Sequence, residues 1–240
     1  MMEQIEILKQ WVKESQRIVA FTGAGVSTES GIGEFRGTDG LYNRKFEYAP
    51  ETIISHSFLL QNPEYFFRFY REHLMPLGFE PNVTHRVLAQ WEQAGKLLAV
   101  VTQNIDGLHQ KAGSECVHEL HGSVLKNYCL RCGKKYPAEF VRDSHGVPTC
   151  TCGGMVRPDV VLYEEGLNAA TIDASIEAIA NADLLIVAGS SLTVYPAAGL
   201  LDYYSGDRLV IINRDMTARD GIADLIFRCS LGEVFSQLLE

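Results

Sequence analysis

The residues best equipped for chemistry follow the apolar run Leu97 to Val101, in the polar stretch Thr102-Gln103-Asn104-Ile105-Asp106-Gly107-Leu108-His109, with His121 a short way downstream. Gln103 and Asn104 bring amide donors and acceptors and Asp106 a carboxylate, while Ile105 and Leu108 can exclude water around them. An apolar strand opening into a polar loop is where open α/β sheets place ligands, at the carboxyl edge where the strand order reverses. Asn, Asp and Gly are also ordinary turn residues, so the stretch by itself admits a plain solvated turn.

Two cysteine clips form the second group. Cys129-Leu130-Arg131-Cys132-Gly133 and, after seventeen residues, Cys150-Thr151-Cys152-Gly153-Gly154 offer four thiolates from two tight turns. Tetrahedral zinc takes such paired soft ligands, and four of them leave no open position, so the expected ion is structural. Glycine after each second cysteine lets the backbone bend so that amides face sulfur. The one-residue gap of the second clip is shorter than usual. Cys116 and Cys229 are expected to be buried fillers.

The third group is glycine-rich. Gly23-Ala24-Gly25 follows the apolar run Arg17 to Thr22, Gly189-Ser190-Ser191 follows Leu184 to Ala188, and Asn213-Arg214-Asp215 follows Leu209 to Ile212. Each alone is compatible with a capped loop. Together they bring small or hydrogen-bonding residues to one sheet edge, as a nucleotide requires.

These groups need a frame. Residues 3–15 carry Ile5, Leu8, Trp11 and Val12 at helical spacing, and further helices are expected over 83–93, 169–180 and 197–204, alternating with the strands. That alternation predicts a parallel sheet in an α/β, doubly wound, Rossmann-like large domain over 1–32, 81–125 and 156–240. Two stretches break it: an aromatic-rich, partly helical insertion over 33–80 and the cysteine-bearing module over 126–155, which together form a smaller lobe.

The chain has 240 residues, 46% hydrophobic and 21% charged, enough for a substantial core. Its net charge of −9 argues against nucleic-acid and membrane partners. No apolar run approaches the roughly 18–20 residues that span a bilayer, and the N-terminus lacks a signal-peptide pattern, so a cytoplasmic setting with reduced thiols is expected.

In order, GAGVSTESGIGEFRG (23–37), TQNIDGLHQKAG (102–113), His121-Gly122, the two clips, RPDVV (157–161), GSSLTVYPAAGL (189–200) and INRD (212–215) resemble the motifs of sirtuins over nearly the whole chain. The resemblance implies a bacterial-type, minimal NAD-dependent protein-lysine deacetylase with one structural zinc, acting on acetyl-lysine proteins or peptides. It leaves the oligomeric state open, with a monomer as one option. It assigns Gly23, Ala24, Thr28, Phe35 and Arg36 to the cofactor loop, and Gln103, Ile105 and Asp106 to the nicotinamide ribose and carboxamide. Ser190, Ser191 and Asn213 are assigned to the phosphates and adenosine. Asn104 would order the reacting centre together with Asp106, and His121 would be the general base. Val160, Val161, Leu162 and Tyr163 would pair with the substrate backbone as a strand. A mono-ADP-ribosyltransferase and a non-catalytic module that binds NAD or ADP-ribose are the competing readings.

The chain departs from the family pattern at four places. Gly33-Glu34 replaces Pro-Asp, Glu164 replaces a glycine, the Cys150-Thr151-Cys152 clip is short, and the Tyr-x-x-Arg pair of relatives that remove acidic acyl groups is here Tyr70-Arg71-Glu72-His73. The last departure predicts a preference for acetyl over acidic acyl groups.

Overall fold

The computed structural model describes residues 2–33 and 40–239; Glu34, Phe35 and Arg36 lie outside them, so their assignments to the cofactor loop stay with the sequence. Nine strands occur among the described residues: β1 (Ile18–Thr22), β2 (Leu97–Thr102), β3 (Val117–Glu119), β4 (Gly122–Cys129), β5 (Lys135–Pro137), β6 (Val156–Val160), β7 (Leu184–Ala188), β8 (Leu209–Ile212) and β9 (Leu225–Phe227). Six form one sheet in the order β3-β2-β1-β7-β8-β9, every pairing parallel. The order turns back at β1 and β7, and that is the doubly wound pattern.

The near-continuous apolar strands are covered on both faces, as parallel strands must be. Ile18, Ala20, Val100, Ile186 and Val210 pack on one side against helices Met2–Glu14, Val83–Gln93 and Leu231–Phe235. The alternate residues Val19, Phe21, Val101, Val187 and Ile211 pack on the other against helix Ala169–Asn181 and the segment Ala197–Tyr203. That last segment, where a helix is expected over 197–204, is a 3-10 helix. Gly199 in its middle weakens α-helical propensity there.

The smaller lobe is a three-stranded antiparallel sheet, β5-β4-β6, packed with helices Pro50–Ile53, His56–Gln61 and Pro63–His73. The insertion and the cysteine module share one core: Ile53, Phe66, Phe67 and Tyr70 from the helices join Val124, Cys129, Cys150 and Val156. Arg71 ties the two parts, donating to the carbonyls of Val141 (2.8 Å) and Gly146 (2.5 Å) and to Ser144 Oγ (2.7 Å). No helix among the described residues is long and apolar enough to cross a membrane.

Candidate active site

A cavity of about 530 Å³ lies over the carboxyl edge of the large sheet, with the smaller lobe as its opposite wall. That volume is in the range of small-molecule sites. All six strand ends of the large sheet reach it: Gly23 to Gly25 after β1, Gln103 to Ile105 after β2, His121 after β3, Gly189 to Ser191 after β7, Asn213 to Asp215 after β8 and Cys229 to Leu231 after β9.

The glycines hold the floor together where the strand order turns back. A Cβ at Gly23 would stand 2.8 Å from the Gly189 carbonyl oxygen, and one at Gly25 would stand 2.7 Å from Gly189 Cα. Gly189 sits at φ +62°, with Val26 N 2.5 Å from where its Cβ would be, so both loops need bare backbone. The Gly25 amide donates to the Gly189 carbonyl at 2.9 Å. Beside this seam, Gln103 Nε2 donates to Ser190 Oγ (3.0 Å), and Thr28 Oγ1 donates to the Gly25 carbonyl (3.0 Å). Ala24, Ser191 and Asn213 also line the cavity; Asn213 Nδ2 donates to the Asp215 carbonyl at 2.9 Å.

Behind the β2 loop runs a polar chain. Asn104 Nδ2 donates to Ser27 Oγ (3.1 Å), and Ser27 Oγ donates to Asp106 Oδ2 (2.7 Å). The other oxygen of Asp106 accepts from the Leu108 amide at 2.8 Å. Asp106 is thus buried behind the cavity wall and not part of its lining. Burial pushes its carboxyl up, against the Leu108 amide and Ser27 hydroxyl that favour the carboxylate. The sequence alone did not single out Ser27, because a serine after a glycine turn looks like an ordinary cap. Ser27→Ala should lower kcat by about tenfold, the effect of one lost hydrogen bond that orients a reacting group. The melting temperature should fall much less, and steady-state rates beside thermal denaturation test both.

His121 Nδ1 lies 3.0 Å from the Gln103 carbonyl oxygen. A carbonyl only accepts, so Nδ1 carries the proton and the neutral ring keeps its lone pair on Nε2. Desolvation pushes this histidine below the usual 6.5, against the bond to Gln103, which raises it. Near neutral pH it is therefore a base.

Val160, Val161, Leu162 and Tyr163 line the wall, as does Ile105 of the β2 loop. Their amides are engaged within the chain: Val161 donates to the His121 carbonyl (2.9 Å), Leu162 to Glu165 Oε2 (2.9 Å) and Tyr163 to the Ile54 carbonyl (3.1 Å). Val160 is paired with Gly122 in the small sheet. Three amides of the segment are thus engaged within the chain, and its side chains form the cavity wall.

Two acidic residues at the end of this wall fix it. Glu164 adopts φ +74°, a conformation that favours glycine and costs other residues about 1 kcal/mol or more. Its carboxylate accepts from the Ser57 amide (2.8 Å) and from Ser57 Oγ, so the loop is clamped to helix His56–Gln61. Glu165 makes a two-pronged pair with Arg157, which is only 4% exposed, and also accepts from the Leu162 amide and meets His56 Nδ1 at 2.8 Å. The Arg157–Glu165 pair was not anticipated from the sequence.

The four cysteine Sγ atoms lie within 4.8 Å of one another, with Cys129–Cys152 at 3.5 Å and Cys132–Cys150 at 3.6 Å. Four sulfurs at zinc–sulfur distance on a tetrahedron stand about 3.8 Å apart, so the donor set fits zinc. The short second clip closes because the Gly153 amide donates to the Cys150 carbonyl (2.8 Å) and Gly153 takes φ +82°. The Arg131 amide and the Tyr136 hydroxyl donate to Cys129 and Cys150 sulfur, favouring thiolates. Cys152→Ser should reduce bound zinc, counted by elemental analysis, from one equivalent to well under one, and should lower the melting temperature. Cys116 and Cys229 are half-buried, not buried fillers, and Cys229 borders the cavity.

Residues 23–196 match the Sir2 family. The chain is 52% identical over 242 residues to an NAD-dependent protein deacetylase of Clostridium perfringens, with 99% of each chain covered. It is 51% identical to one of Clostridium acetobutylicum, with 100% and 99% covered. Among solved structures it resembles Sir2 with a deacetylated p53 peptide and 3'-O-acetyl ADP ribose (TM-score 0.90, 40% identity, 98% and 96% covered). It also resembles Sir2 with p53 peptide and NAD+ (TM-score 0.86, 41% identity, 97% and 95% covered). The glycine seam, the histidine braced on the β2 loop and the four-sulfur clip thus sit in a chain that belongs to the Sir2 family.

Proposed function

We propose that this chain is an NAD-dependent protein-lysine deacetylase, converting acetyl-lysine, NAD and water to lysine, nicotinamide and O-acetyl-ADP-ribose. The observation that carries the reading is the His121–Gln103 bond, which leaves a neutral imidazole with its Nε2 lone pair beside the strand-end loops of one cavity. NAD supplies an activated ribose from which nicotinamide departs as the acyl oxygen of the substrate takes its place.

The chain's own residues do the rest. Gly23, Ala24 and Thr28 bring bare or short-chained backbone to the cofactor, and Phe35 and Arg36 are assigned to the same loop by the family motif. Ser190, Ser191 and Asn213 take the phosphates and adenosine, while Gln103 and Ile105 take the nicotinamide ribose and carboxamide, with Asp106 behind them. Asp106 fixes Ser27, and Ser27 fixes Asn104, so the amide that orders the reacting centre is set in advance. His121 Nε2 accepts the proton of a ribose hydroxyl, and the Gln103 carbonyl stabilises the imidazolium at Nδ1. Val160 to Tyr163 shield the acyl chain from water. Zinc at Cys129, Cys132, Cys150 and Cys152 holds the lobe. The setting is the cytoplasm, where these thiols stay reduced.

Incubation with an acetyl-lysine peptide, with and without NAD, followed by mass spectrometry, tests the reading. Peptide that loses the acetyl mass only with NAD, together with acetyl-ADP-ribose, is the expected result. A protein acceptor gaining ADP-ribose, or NAD bound without turnover, overturns it.

A further inference from the structure

Two fully buried histidines take no part in the reaction above. His85 belongs to helix Val83–Gln93 and His109 to helix Leu108–Ala112, and their rings stand 4.8 Å apart at 57°. His85 Nε2 and His109 Nδ1 have no hydrogen-bond partner among the described residues. The other nitrogen of each ring leads to a loop that lines the cavity. His85 Nδ1 accepts from the Asn82 amide (3.3 Å), and the Asn82 side chain donates to the Val26 carbonyl (2.7 Å) and to Ser30 Oγ (3.0 Å). The 3-10 segments Ala24–Val26 and Thr28–Ser30, which bring Ala24, Gly25 and Thr28 to the cavity, are thereby tied to His85. His109 Nε2 lies 3.1 Å from Thr22 Oγ1, and the Thr22 carbonyl accepts from the Gln103 amide at 2.9 Å. Gln103 in turn holds His121. The two rings thus join the segment assigned to the cofactor to the loop that braces the base.

This joint tolerates only neutral rings. An amide N–H always donates, so His85 Nδ1 must keep its lone pair; protonated, it would set N–H against N–H and release Asn82. On His109 a second proton would be a buried N–H without an acceptor, and two imidazolium rings this close repel. Desolvation pushes His109 well below the usual 6.5 and, helped by the Arg86 charge, holds His85 at about 4. No carboxylate among the described residues is paired with either ring. Arg86 donates to the Pro81 carbonyl, and Glu92 at the far end of the same helix accepts from the amides of Glu115 and Cys116. Lys111 on the His109 helix pairs with Glu80, and Asp106 before it is held by Ser27 and the Leu108 amide. Glu29 accepts from the Gly232 amide, and Glu233 caps helix Leu231–Phe235. On β3, Glu119 pairs with Lys126, and burial lowers His118; β1 and β2 carry no charged side chain.

We propose that the His85–His109 pair is an acid-sensitive joint: as pH falls it opens, each ring takes up one proton from solvent, and the segment 23–32 is freed while the sheet stays folded. That the freed segment holds the cofactor rests on the deacetylase reading; the opening itself does not. Both rings are neutral when closed and regain the ordinary 6.5 when open, so the open state binds more protons and is favoured below 6.5. Two rings together should raise the opening equilibrium by on the order of 100-fold between pH 6.5 and pH 5.

Hydrogen exchange read by mass spectrometry on the full chain, corrected for the intrinsic pH dependence of amide exchange, tests this. Over that interval wild-type peptides covering 23–32 and 82–93 should lose protection by on the order of 100-fold, while β7 and β8 keep theirs. In His85→Gln/His109→Gln, glutamine keeps an acceptor for Asn82 and a donor for Thr22 without titrating, and the change should shrink to about twofold or less. Each single variant should show about tenfold, so the test does not depend on the double variant alone. Saturating ADP-ribose should restore wild-type protection at pH 5. A wild-type change that is absent, that persists in the variants or that spreads equally to β7 and β8 overturns the inference, as does ADP-ribose that binds at pH 7.5 but leaves the acid-induced exchange unaltered. ADP-ribose that fails to bind at pH 7.5 overturns the cofactor reading instead, and the exchange of wild type and variants still decides the joint.

Discussion

Replacing His121 with alanine is expected to lower kcat on an acetylated peptide by about 10³-fold, the usual contribution of a positioned general base. The loss should fall on kcat and not on KM, because the ring sits at one edge of the cavity while the walls proposed to hold the peptide come from Val160 to Tyr163 and the insertion. The pH profile carries a second signature. Burial holds His121 below 6.5, so the unprotonated base persists into mildly acidic solution. The acidic limb of kcat/KM in the wild type should therefore have its midpoint below 6.5, with activity lost as pH falls through it. Rates measured between pH 5 and 8 decide this, and a midpoint above 7 would contradict the placement of the ring.

The largest stability effect is expected at Glu165. Arg157 is buried, and Glu165→Ala would remove the one carboxylate hydrogen-bonded to its guanidinium among the described residues, leaving Asp159 to act only through space. Breaking a buried pair from one side costs about 3 kcal/mol or more. In a chain of 240 residues that corresponds to a melting temperature lower by roughly 10 °C. Desolvation raises the Glu165 carboxyl, but the bonds from Arg157, the Leu162 amide and His56 outweigh it and hold the group at about 2, against the usual 4.5. A carboxyl with a depressed native pKa stabilises the fold above its unfolded value. Its contribution is thus complete above about 4.5 and disappears as pH falls toward 2. Chemical denaturation at pH 7 and pH 3.5 should show the gap between wild type and Glu165→Gln narrowing at the lower pH.

The large domain was legible because β1, β2, β7 and β8 are four- to six-residue apolar runs separated by helices with a clear period. The edge strands β3 and β9 were not, since three residues show no period. The four-sulfur clip was legible as local spacing, as was the loop holding Gln103, Asn104 and His121's partner carbonyl. What lay hidden depends on contacts between distant segments. Ser27 reaches across to Asp106, Glu164 to Ser57, and Arg157 to Glu165 through a turn whose shape no spacing specifies. Asp106 is the clearest case: its place in the loop suggested a lining group, while the fold turned its carboxylate inward. The glycine at Glu164's position in the family motif had a physical reason that only the dihedral reveals.

Cys129 and Cys150 belong to the same apolar cluster as Tyr70 and Leu162. Metal loading and substrate choice are therefore expected to behave as one property of the lobe. A preparation partly stripped of its ion should contain a mixture of wall shapes, and its apparent selectivity among acyl peptides should drift with its handling history.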